Sequence, residues 1–425
     1  MSAAAGPAHR VAVVGAGIIG ATVALELQRH GMAVTLIDKG EPGMECSFGN
    51  GGAISPDFCV PSSMPGMLKR VPGWFADPLG PLVVRWGRLP AALPWLVRWI
   101  RAGRLEKVQA ASAALRALHA TSLSRYAALL GAEANGLIET TGQLYVWKTA
   151  RAGPTEALAR SLRASHGVVT QALDEAQIKA IDPELAPGFT EGLFFPENGH
   201  TVNPLRLVQT VVRLFREAGG ELQCRTLTGF EREAGAVRSL VCADGRRLAV
   251  DAVVVAAGIR SREIARQLGD AAPLEAERGY HVMLPSPRVR PAIKIANRDH
   301  MFGLAPMEHG VRISGTVEFA GPDAPMDPRR AQALLVRACQ MYPRLNGEGA
   351  TFWMGSRPST PDSLPVIDRA GRAANVIYAF GHGHTGLTGA PMTAELVRHV
   401  LVGTKPPIDA SPYRLGRFRL FNYPP

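Results

Sequence analysis

A strand, a helix and a second strand stand at the start of the chain, and this unit limits the fold more than any other feature. We predict these elements at residues 10–14, 18–30 and 33–38. Gly15, Gly17 and Gly20 lie between the first strand and the helix in the spacing G-x-G-x-x-G. In such a unit the first glycine permits a tight turn, the second lets the backbone approach a pyrophosphate, and the third lets helix and strand pack closely. The sequence therefore predicts a Rossmann-type dinucleotide-binding fold.

An acidic residue ends the second strand. Asp38 follows Gly20 by eighteen residues, at the position where a carboxylate hydrogen-bonds the ribose hydroxyls of a dinucleotide. A carboxylate there disfavours NADP, which carries a phosphate on that ribose, but it does not distinguish NAD from FAD. We expect the adenosine and pyrophosphate half of the cofactor to be bound by Gly15, Ala16, Gly17, Ile18, Ile19, Gly20, Asp38 and Lys39.

Two further glycine-rich segments favour FAD over NAD. Residues 47–56, called the glycine loop below, follow the ribose acid and offer backbone donors to a flat, hydrogen-bonding ring. Residues 376–388 run from a strand through glycines into a helix, whose N-terminus can direct N–H groups at the N1–C2=O edge of a reduced flavin. An NAD enzyme has no need of this third element. The residues expected at the ring are Ser47, Asn50, Gly51, Gly52, Gly383, His384, Thr385, Gly386, Leu387 and Thr388.

The combination of motifs resembles the D-amino-acid oxidase and glycine oxidase superfamily, most closely its bacterial D-amino-acid dehydrogenase branch, which includes D-hydroxyproline dehydrogenases. The resemblance covers nearly the whole chain. It is carried by the turn at Gly15, the glycine loop, and residues 253–258, 352–362 and 381–388. It adds Ala257 and Gly258 to the cofactor-binding residues and implies that FAD is bound non-covalently.

The resemblance also implies a substrate site. In related oxidases the Arg of an R-P-x-x-x-D motif holds the substrate carboxylate, and Arg357 has this position; a guanidinium can bind a carboxylate through two parallel hydrogen bonds. An ion pair with Asp362 is the alternative for Arg357. Tyr280 and His281 are further catalytic candidates on a strand expected to line the pocket, with packed sheet residues as the alternative. Phe302 stands where relatives often present a Tyr.

The expected fold class is α/β, with two domains that alternate along the chain. The discontinuous Rossmann-type FAD-binding domain is predicted at residues 9–57, 200–272 and 350–403. An α+β substrate domain with an antiparallel sheet is predicted at residues 58–199 and 273–349, and residues 404–425 form a C-terminal extension. A chain of 425 residues is too long for one compact core, which supports this division.

The resemblance implies an FAD-dependent amino-acid dehydrogenase whose substrate is a small D-amino acid, the D-proline and D-hydroxyproline types included. A hydride passes from the α-carbon to flavin N5, giving an imino acid and then a 2-oxo acid. Oxygen-using relatives often place a Lys near N5, and Lys294 is the one Lys in the predicted pocket sheet. This scarcity favours a quinone or another carrier as electron acceptor. An oxygen-using glycine- or sarcosine-type oxidase and a flavin-binding subunit that is inactive alone remain alternatives.

Charge and composition exclude several classes of partner. The formal net charge is +11, but the basic residues are scattered and no Lys/Arg run reaches five residues, so a solvated surface is favoured and no nucleic acid is expected. The five cysteines have no metal-ligand spacing, so we expect free thiols, no metal site and a cytoplasmic location. No uncharged apolar stretch reaches the roughly 18 residues of a membrane span.

A Trp- and Arg-rich segment leaves one question open. It contains Trp74, Phe75, Trp86, Trp95, Trp99 and Arg101. Such a composition suits a peripheral contact with the inner face of the cytoplasmic membrane. The alternative is an ordinary excursion packed on the flavin domain, because Pro90 and Pro94 are expected to break any long amphipathic helix.

Overall fold

The structure is a computed structural model and describes residues 9–67, 77–148 and 153–418. Its strands are β1 Arg10–Val14, β2 Ala33–Asp38, β3 Ala53–Ile54, β4 Leu82–Val84, β5 Ile138–Glu139, β6 Gln143–Trp147, β7 Gln171–Leu173, β8 Glu191–Phe195, β9 Gly199–Thr201, β10 Glu221–Cys224, β11 Leu227–Glu233, β12 Ala236–Cys242, β13 Arg247–Ala249, β14 Ala252–Val255, β15 Glu275–Leu284, β16 Lys294–Asn297, β17 Phe302–Met307, β18 Gly310–Phe319, β19 Thr351–Ser359, β20 Val366–Ala370 and β21 Ala373–Phe380. Its α-helices are α1 Ile18–Arg29, α2 Leu89–Ala102, α3 Leu105–His119, α4 Ser122–Leu130, α5 Pro154–Ser165, α6 Glu175–Ile181, α7 Pro204–Glu217, α8 Ser261–Gln267, α9 Pro328–Met341 and α10 Gly386–Val402.

The first sheet is built on the N-terminal strand–helix–strand unit and has the strand order β10-β2-β1-β14-β21-β20. Its strands are parallel except for β20, which runs antiparallel to β21. All four residues of β14 are buried, because both faces of the sheet are covered. The α/β fold class and the predicted bounds of β1 and β2 are confirmed, and α1 ends one residue earlier than predicted.

Five helices cover one face of this sheet. Residues of α1, α3, α4, α7 and α10 share a single apolar cluster with β1 and β2. The small antiparallel sheet β11-β12-β13 covers the other face, where Val237 and Leu240 pack against Val253 and Val255. The first sheet therefore lies in the middle of a three-layer unit.

The second sheet has nine strands and is mainly antiparallel. Its order is β19-β15-β18-β17-β16-β6-β8-β7, with β4 added beside β18. Helix α9 packs on one face through Leu334, Ala338 and Met341. The opposite face carries side chains that contact the glycine loop, so the site lies between the two sheets.

Two segments lie in different layers from those predicted. Helices α3 and α4 lie within residues 58–199, which were predicted as part of the substrate domain, but both pack in the cluster of the first sheet. Strand β19 was predicted within the FAD-binding domain but belongs to the second sheet. The position of a segment along the chain does not determine which sheet it packs against. Apolar residues such as Leu115 and Leu118 can be buried against the apolar face of either sheet.

The prediction that Pro90 and Pro94 break the helix is wrong. Helix α2 includes both, with Pro90 in its first turn, where no intrahelical N–H is needed. Trp95 and Trp99 are buried, and the Trp95 indole donates a hydrogen bond to the carbonyl of Ser359 at 3.0 Å. These two Trp residues form a packed contact with the second sheet. Trp74 and Phe75 lie outside the described residues, and no described helix is both long and apolar enough to cross a bilayer.

Candidate active site

The glycine turn between β1 and α1 has the close contacts that its sequence predicts. Gly15 has a φ of +106°, and a Cβ there would lie 2.4 Å from the carbonyl oxygen of Ala256 at the end of β14. A Cβ on Gly20 would lie 1.7 Å from the carbonyl oxygen of Gly15. Neither position can accept a larger residue without moving the backbone. The turn, Ala257 and Gly258 therefore meet at the carboxyl ends of adjacent parallel strands, where such sheets bind ligands.

Asp38 supports this turn directly. Its Oδ2 accepts a hydrogen bond from the Ala16 N–H at 2.6 Å, and its Oδ1 accepts one from the Gly40 N–H at 3.2 Å. A carboxylate has about four lone-pair sites, so two bonds leave capacity for ribose hydroxyls. Lys39 pairs with Glu45 at 2.9 Å on the surface instead.

Ser47 joins the dinucleotide turn to the glycine loop. Its Oγ accepts a hydrogen bond from the N–H of Ile18, the first residue of α1, at 3.0 Å. The first intrahelical bond of this helix runs from Ala21 to Gly17. The first turn of a helix leaves N–H groups without intrahelical partners. Those that Ser47 does not bind can donate to a pyrophosphate.

Side chains of the second sheet hold four consecutive carbonyl groups of the glycine loop. Arg312 Nη1 donates to the carbonyls of Phe48 and Asn50, at 2.7 Å each. Lys294 Nζ donates to the Gly51 carbonyl at 2.8 Å, and His281 Nδ1 lies 3.2 Å from the Gly49 carbonyl oxygen. The loop conformation is therefore set by the sheet that it faces.

Of the two cations below the loop, Arg312 is buried and Lys294 is half-buried. Burial lowers the pKa of Arg312 to about 10, and burial together with Arg312 lowers the pKa of Lys294 to about 8. Neither forms an ion pair with a carboxylate in the described part of the chain. The loop carbonyls are thus the main groups that offset the cost of removing these two charges from water. A negatively charged ligand nearby is therefore favoured.

The amides of the loop are less available than the sequence suggested. The N–H of Asn50 bonds to the Ser47 carbonyl at 3.2 Å, and the N–H of Gly52 bonds to the Asn50 side-chain oxygen at 2.8 Å. Asn50 keeps its side-chain NH₂ group, which can donate to a ring carbonyl. The glycine loop therefore offers a ring fewer backbone N–H donors than the sequence predicted, together with the side-chain amide of Asn50.

Thr388 connects the loop to the N-terminus of α10. Its Oγ1 accepts a hydrogen bond from the Ser55 N–H at 3.1 Å and donates to the Ala53 carbonyl at 3.4 Å. The preceding 3₁₀ turn, Gly383–Thr385, leads into the first helical residues Gly386 and Leu387. The structure thus brings together the turn, loop and helix start predicted to hold one cofactor, and their donors and glycines fit FAD.

Three cross-strand pairs of β15 and β19 lie on the face towards the loop. They are Glu277 with Arg357, Gly279 with Gly355, and His281 with Trp353. The two glycines leave room for their large neighbours: a Cβ on Gly279 would lie 2.0 Å from Arg357 Nη2, and one on Gly355 would lie 2.1 Å from the Trp353 ring. The Arg357 guanidinium and the Trp353 ring therefore lie flat on the backbone of the sheet.

Arg357 is not paired with the acid that the sequence offered as an alternative. Asp362 receives two hydrogen bonds from Arg417, at 2.7 and 3.2 Å. Arg357 Nη1 donates instead to the backbone carbonyl of Thr316 at 3.2 Å. Burial lowers its pKa, and Glu277 is the largest opposing influence. No described carboxylate lies within ion-pair distance of Arg357.

His384 and Glu277 flank the guanidinium. His384 Nδ1 lies 3.4 Å from Glu277 Oε2. The pKa of His384 is lowered to about 3, first by burial at the base of the site and then by Arg357, although 45 % of its side-chain surface is open. Burial raises the pKa of Glu277, and Arg357 opposes this. His384 is thus a neutral imidazole beside the predicted ring-binding turn.

The pocket role predicted for Tyr280 does not fit its position. Its hydroxyl donates to Glu318 Oε2 at 2.6 Å on the α9 side of the sheet, and its ring is buried. Successive residues of a strand point to opposite faces, so Gly279 and His281 face the site and Tyr280 cannot. Phe302 likewise packs in the α9 core and not in the pocket.

His281 faces the site, but its environment does not suit proton transfer near neutral pH. Its ring stacks on Trp353 with centroids 5.1 Å apart, and burial followed by repulsion from Arg312 lowers its pKa to about 3. Proton transfer by His281 near neutral pH does not fit this pKa. Sequence reasoning also missed Arg312 and Trp353. For Arg312 the available signal was its alternation with apolar residues along β18.

Comparison with known proteins identifies the family of this chain. A family model described as FAD dependent oxidoreductase, the DAO family, matches residues 10–400. The chain belongs to the DAO family. A D-amino-acid oxidase of Bradyrhizobium diazoefficiens is 37% identical to this DAO protein over 420 residues, covering 96% of this chain and 99% of the relative. A D-amino acid dehydrogenase of Rhizobium rhizogenes is 27% identical and covers 96% of this chain and 100% of its own.

Solved structures agree on the DAO fold. A glycine oxidase from Bacillus cereus superposes with a TM-score of 0.71 at 16% identity, over 93% of this chain and 95% of that one. L-proline dehydrogenase from P. horikoshii superposes with a TM-score of 0.71 at 20% identity, over 97% and 98%. The protein is an FAD-dependent oxidoreductase.

Proposed function

We propose that this DAO-family protein oxidises a small D-amino acid, with D-proline and D-hydroxyproline types among the candidates. The observation that carries the proposal is the Arg357 guanidinium, which shares a sheet face with the glycine loop and has no carboxylate partner among the described residues. A substrate carboxylate supplies that partner. The two relatives above, a D-amino-acid oxidase and a D-amino acid dehydrogenase, support the substrate class.

The protein's own residues mainly bind and orient. Arg357 holds the carboxylate and so directs the α-carbon of the amino acid towards the ring side of the glycine loop. FAD, when bound, supplies the two-electron acceptor for a hydride from that carbon. His384 is neutral and cannot protonate the substrate amine, so the amine can remain in the form that gives an imino acid. Hydrolysis of that product yields a 2-oxo acid.

Anaerobic reduction of the flavin tests this proposal. The holoprotein is mixed with a panel of D- and L-amino acids that includes D-proline and D-hydroxyproline, and bleaching of the flavin absorbance is recorded. We expect fast bleaching with D-amino acids and slow or absent bleaching with their L-enantiomers. Preference for L-amino acids would overturn the assignment of stereochemistry, and an unbleached flavin with every amine would overturn the function. Acid precipitation of the same sample releases the flavin if it is bound non-covalently.

We propose a quinone or another carrier as the electron acceptor, with oxygen as the competing candidate. Lys294 donates to the Gly51 carbonyl and is thus engaged by the loop, which supports the first candidate. The relative that is 37% identical is named an oxidase, which supports the second. Turnover of the isolated chain with a soluble quinone, measured beside oxygen consumption, separates them. Turnover with neither would favour a flavin-binding subunit that needs a partner.

We propose a cytoplasmic protein that contacts the inner membrane face peripherally through the region of α2. Trp86, Leu93 and Val97 are 69%, 50% and 37% exposed, and the exposed Arg101 lies on the same helix as the last two. Apolar side chains next to Arg suit an anionic lipid surface. Co-sedimentation with vesicles of anionic lipid tests this, with neutral vesicles as control. Equal binding by a Leu93→Ser, Val97→Ser double variant would contradict it.

A further inference from the structure

The strand beside the Arg357 strand contains a β-bulge. In the β15–β18 ladder Arg278 pairs with Glu318 and Tyr280 pairs with Gly315, with a shift of register between them. Two residues, Thr316 and Val317, therefore stand opposite the single residue Gly279. A bulge leaves its extra residue out of the regular ladder and is over-represented next to active sites.

Thr316 occupies the bulge in an unfavourable conformation. Its φ is +59°, in the left-handed region that a β-branched residue rarely adopts. The corresponding position of a G1 bulge normally holds Gly. Its hydroxyl is buried and has no hydrogen-bond partner among the described residues. Strain of this kind persists where the surrounding structure fixes it, and it marks candidate functional positions.

The carbonyl released by the bulge is used by Arg357. Nη1 of Arg357 donates to the Thr316 oxygen at 3.2 Å, and this requires the side chain to cross β15. The crossing runs over Gly279, where a Cβ would lie 2.0 Å from Nη2. A bulge on one strand and a glycine on the next thus define one position for the guanidinium.

The anchor is neutral, and this preserves the charge of Arg357. A guanidinium has five N–H donors, and one is given to a carbonyl, which leaves a fork of donors for a carboxylate. The acid next to the bulge, Glu318, is turned to the other face, where it binds Arg85 at 2.7 Å and Tyr280 at 2.6 Å. Glu318 therefore does not compete for Arg357.

We propose that Thr316 is a positioning residue whose backbone, presented by the bulge, holds the Arg357 guanidinium over Gly279 in the orientation that selects a substrate carboxylate. This inference rests on the proposed function, because it assigns the partner of Arg357 as the substrate carboxylate. It assigns the role to the backbone of Thr316 and not to its hydroxyl. Gly at this position should therefore hold Arg357 as well as Thr does, whereas loss of the bulge should displace the guanidinium.

The experiment compares variants that keep or remove the bulge. Thr316→Gly keeps it, since Gly adopts positive φ without strain. Deletion of Thr316 removes it and retains the pairs of Arg278 with Glu318 and of Tyr280 with Gly315. Gly279→Ala displaces the flexible end of Arg357, and Gly229→Ala is the matched control, a strand glycine whose Cβ meets nothing within 4 Å. FAD content and thermal unfolding are recorded for each variant.

Carboxylate selection is measured as the ratio of kcat/KM for the best D-amino acid of the panel to that for its amide. We expect Thr316→Gly and Gly229→Ala to keep the wild-type ratio within about threefold, and Gly279→Ala and the deletion to lower it about 100-fold, mainly through KM. A lowered ratio in Thr316→Gly would overturn the backbone role, and so would an unchanged ratio in a folded deletion variant. If the deletion variant loses FAD, Gly279→Ala takes its place, and an unchanged ratio in Gly279→Ala relative to Gly229→Ala would overturn the positioning role. An unreduced wild-type flavin would instead refute the proposed function.

Discussion

Lys294 Nζ donates a hydrogen bond to the carbonyl oxygen of Gly51 over 2.8 Å, and this contact ties the second sheet to the glycine loop. Burial, with Arg312 as the second cause, lowers the pKa of Lys294 to about 8. An ammonium donor bonds a carbonyl more strongly than a neutral amine does. The contact therefore weakens as the pH rises through about 8.

We expect the affinity for FAD to fall above this pH. The dissociation constant of FAD, measured by flavin fluorescence from neutral pH to about pH 9, rises in the wild type as Lys294 loses its proton. Lys294→Met binds FAD more weakly at neutral pH and lacks the pH-dependent step, whereas a change at the exposed Lys107 leaves it intact. Persistence of the step in Lys294→Met would show that another group titrates.

Substitution of Gly20 should abolish cofactor binding. A Cβ on Gly20 would lie 1.7 Å from the Gly15 carbonyl oxygen, so Gly20→Ala forces the helix away from the turn. Gly40 follows the same unit, has open space around its Cβ and no positive φ, and Gly40→Ala is the matched control. We expect purified Gly20→Ala to contain less than about a tenth of the wild-type FAD, because the turn is the proposed pyrophosphate site. Equal FAD content in both variants would contradict the assignment.

Arg357 and Asp362 should respond differently to substitution. Arg357→Ala removes the guanidinium and should raise KM for the amino acid about 100-fold or more while FAD remains bound. Asp362 binds Arg417 and is away from this guanidinium. Asp362→Asn should therefore leave KM within about twofold and lower only the stability. Steady-state kinetics measure both. A KM defect shared by the two variants would restore the ion-pair alternative.

Acid should destabilise the protein through its buried histidines. The pKa values of His119 and His200 are lowered to about 4, and that of His382 to about 3, in each case first by burial. An unfolded His titrates near 6.5, so between about pH 6.5 and 4 the unfolded chain binds more protons than the folded one. The free energy of unfolding therefore falls as the pH is lowered through this range.

Urea unfolding at several pH values measures this loss. His119→Asn keeps a side-chain donor for the Phe58 carbonyl and should flatten the pH dependence. The exposed His309 provides the control, because 78% of its side-chain surface is open and His309→Asn changes no buried group. An unchanged slope in His119→Asn would exclude His119 as a source of the acid sensitivity.

The N-terminal strand–helix–strand unit was predictable because its residues are constrained mainly by their neighbours in the sequence. Gly20 is required by a backbone contact within the turn and Gly15 by its positive φ, and Asp38 ends a strand whose alternation and length are plain in the sequence. Helices such as α5 and α9 start with Pro in the first turn, which is a local signal for the start of a helix. Local chemistry was sufficient for these elements.

The substrate face was less predictable because its evidence is spread over three strands. The start of β15, with Glu275 and Glu277, does not look like a buried strand, since buried carboxylates are rare without partners. Their partners come from distant segments: Arg88 bonds Glu275, and His384 lies beside Glu277. The register that puts Tyr280 on the far face is set by β19 and β18, and no pattern within β15 reveals it.

The order of strands in the first sheet also governs when the protein can acquire its cofactor during synthesis. Strand β1 pairs with β14, β14 pairs with β21, and the helix that starts after β21 packs against α1. The first and last parts of the binding site are thus separated by most of the polypeptide. During translation the residues of the turn between β1 and α1 leave the ribosome long before those of β21 and α10. We therefore expect FAD to be retained only once translation is nearly complete.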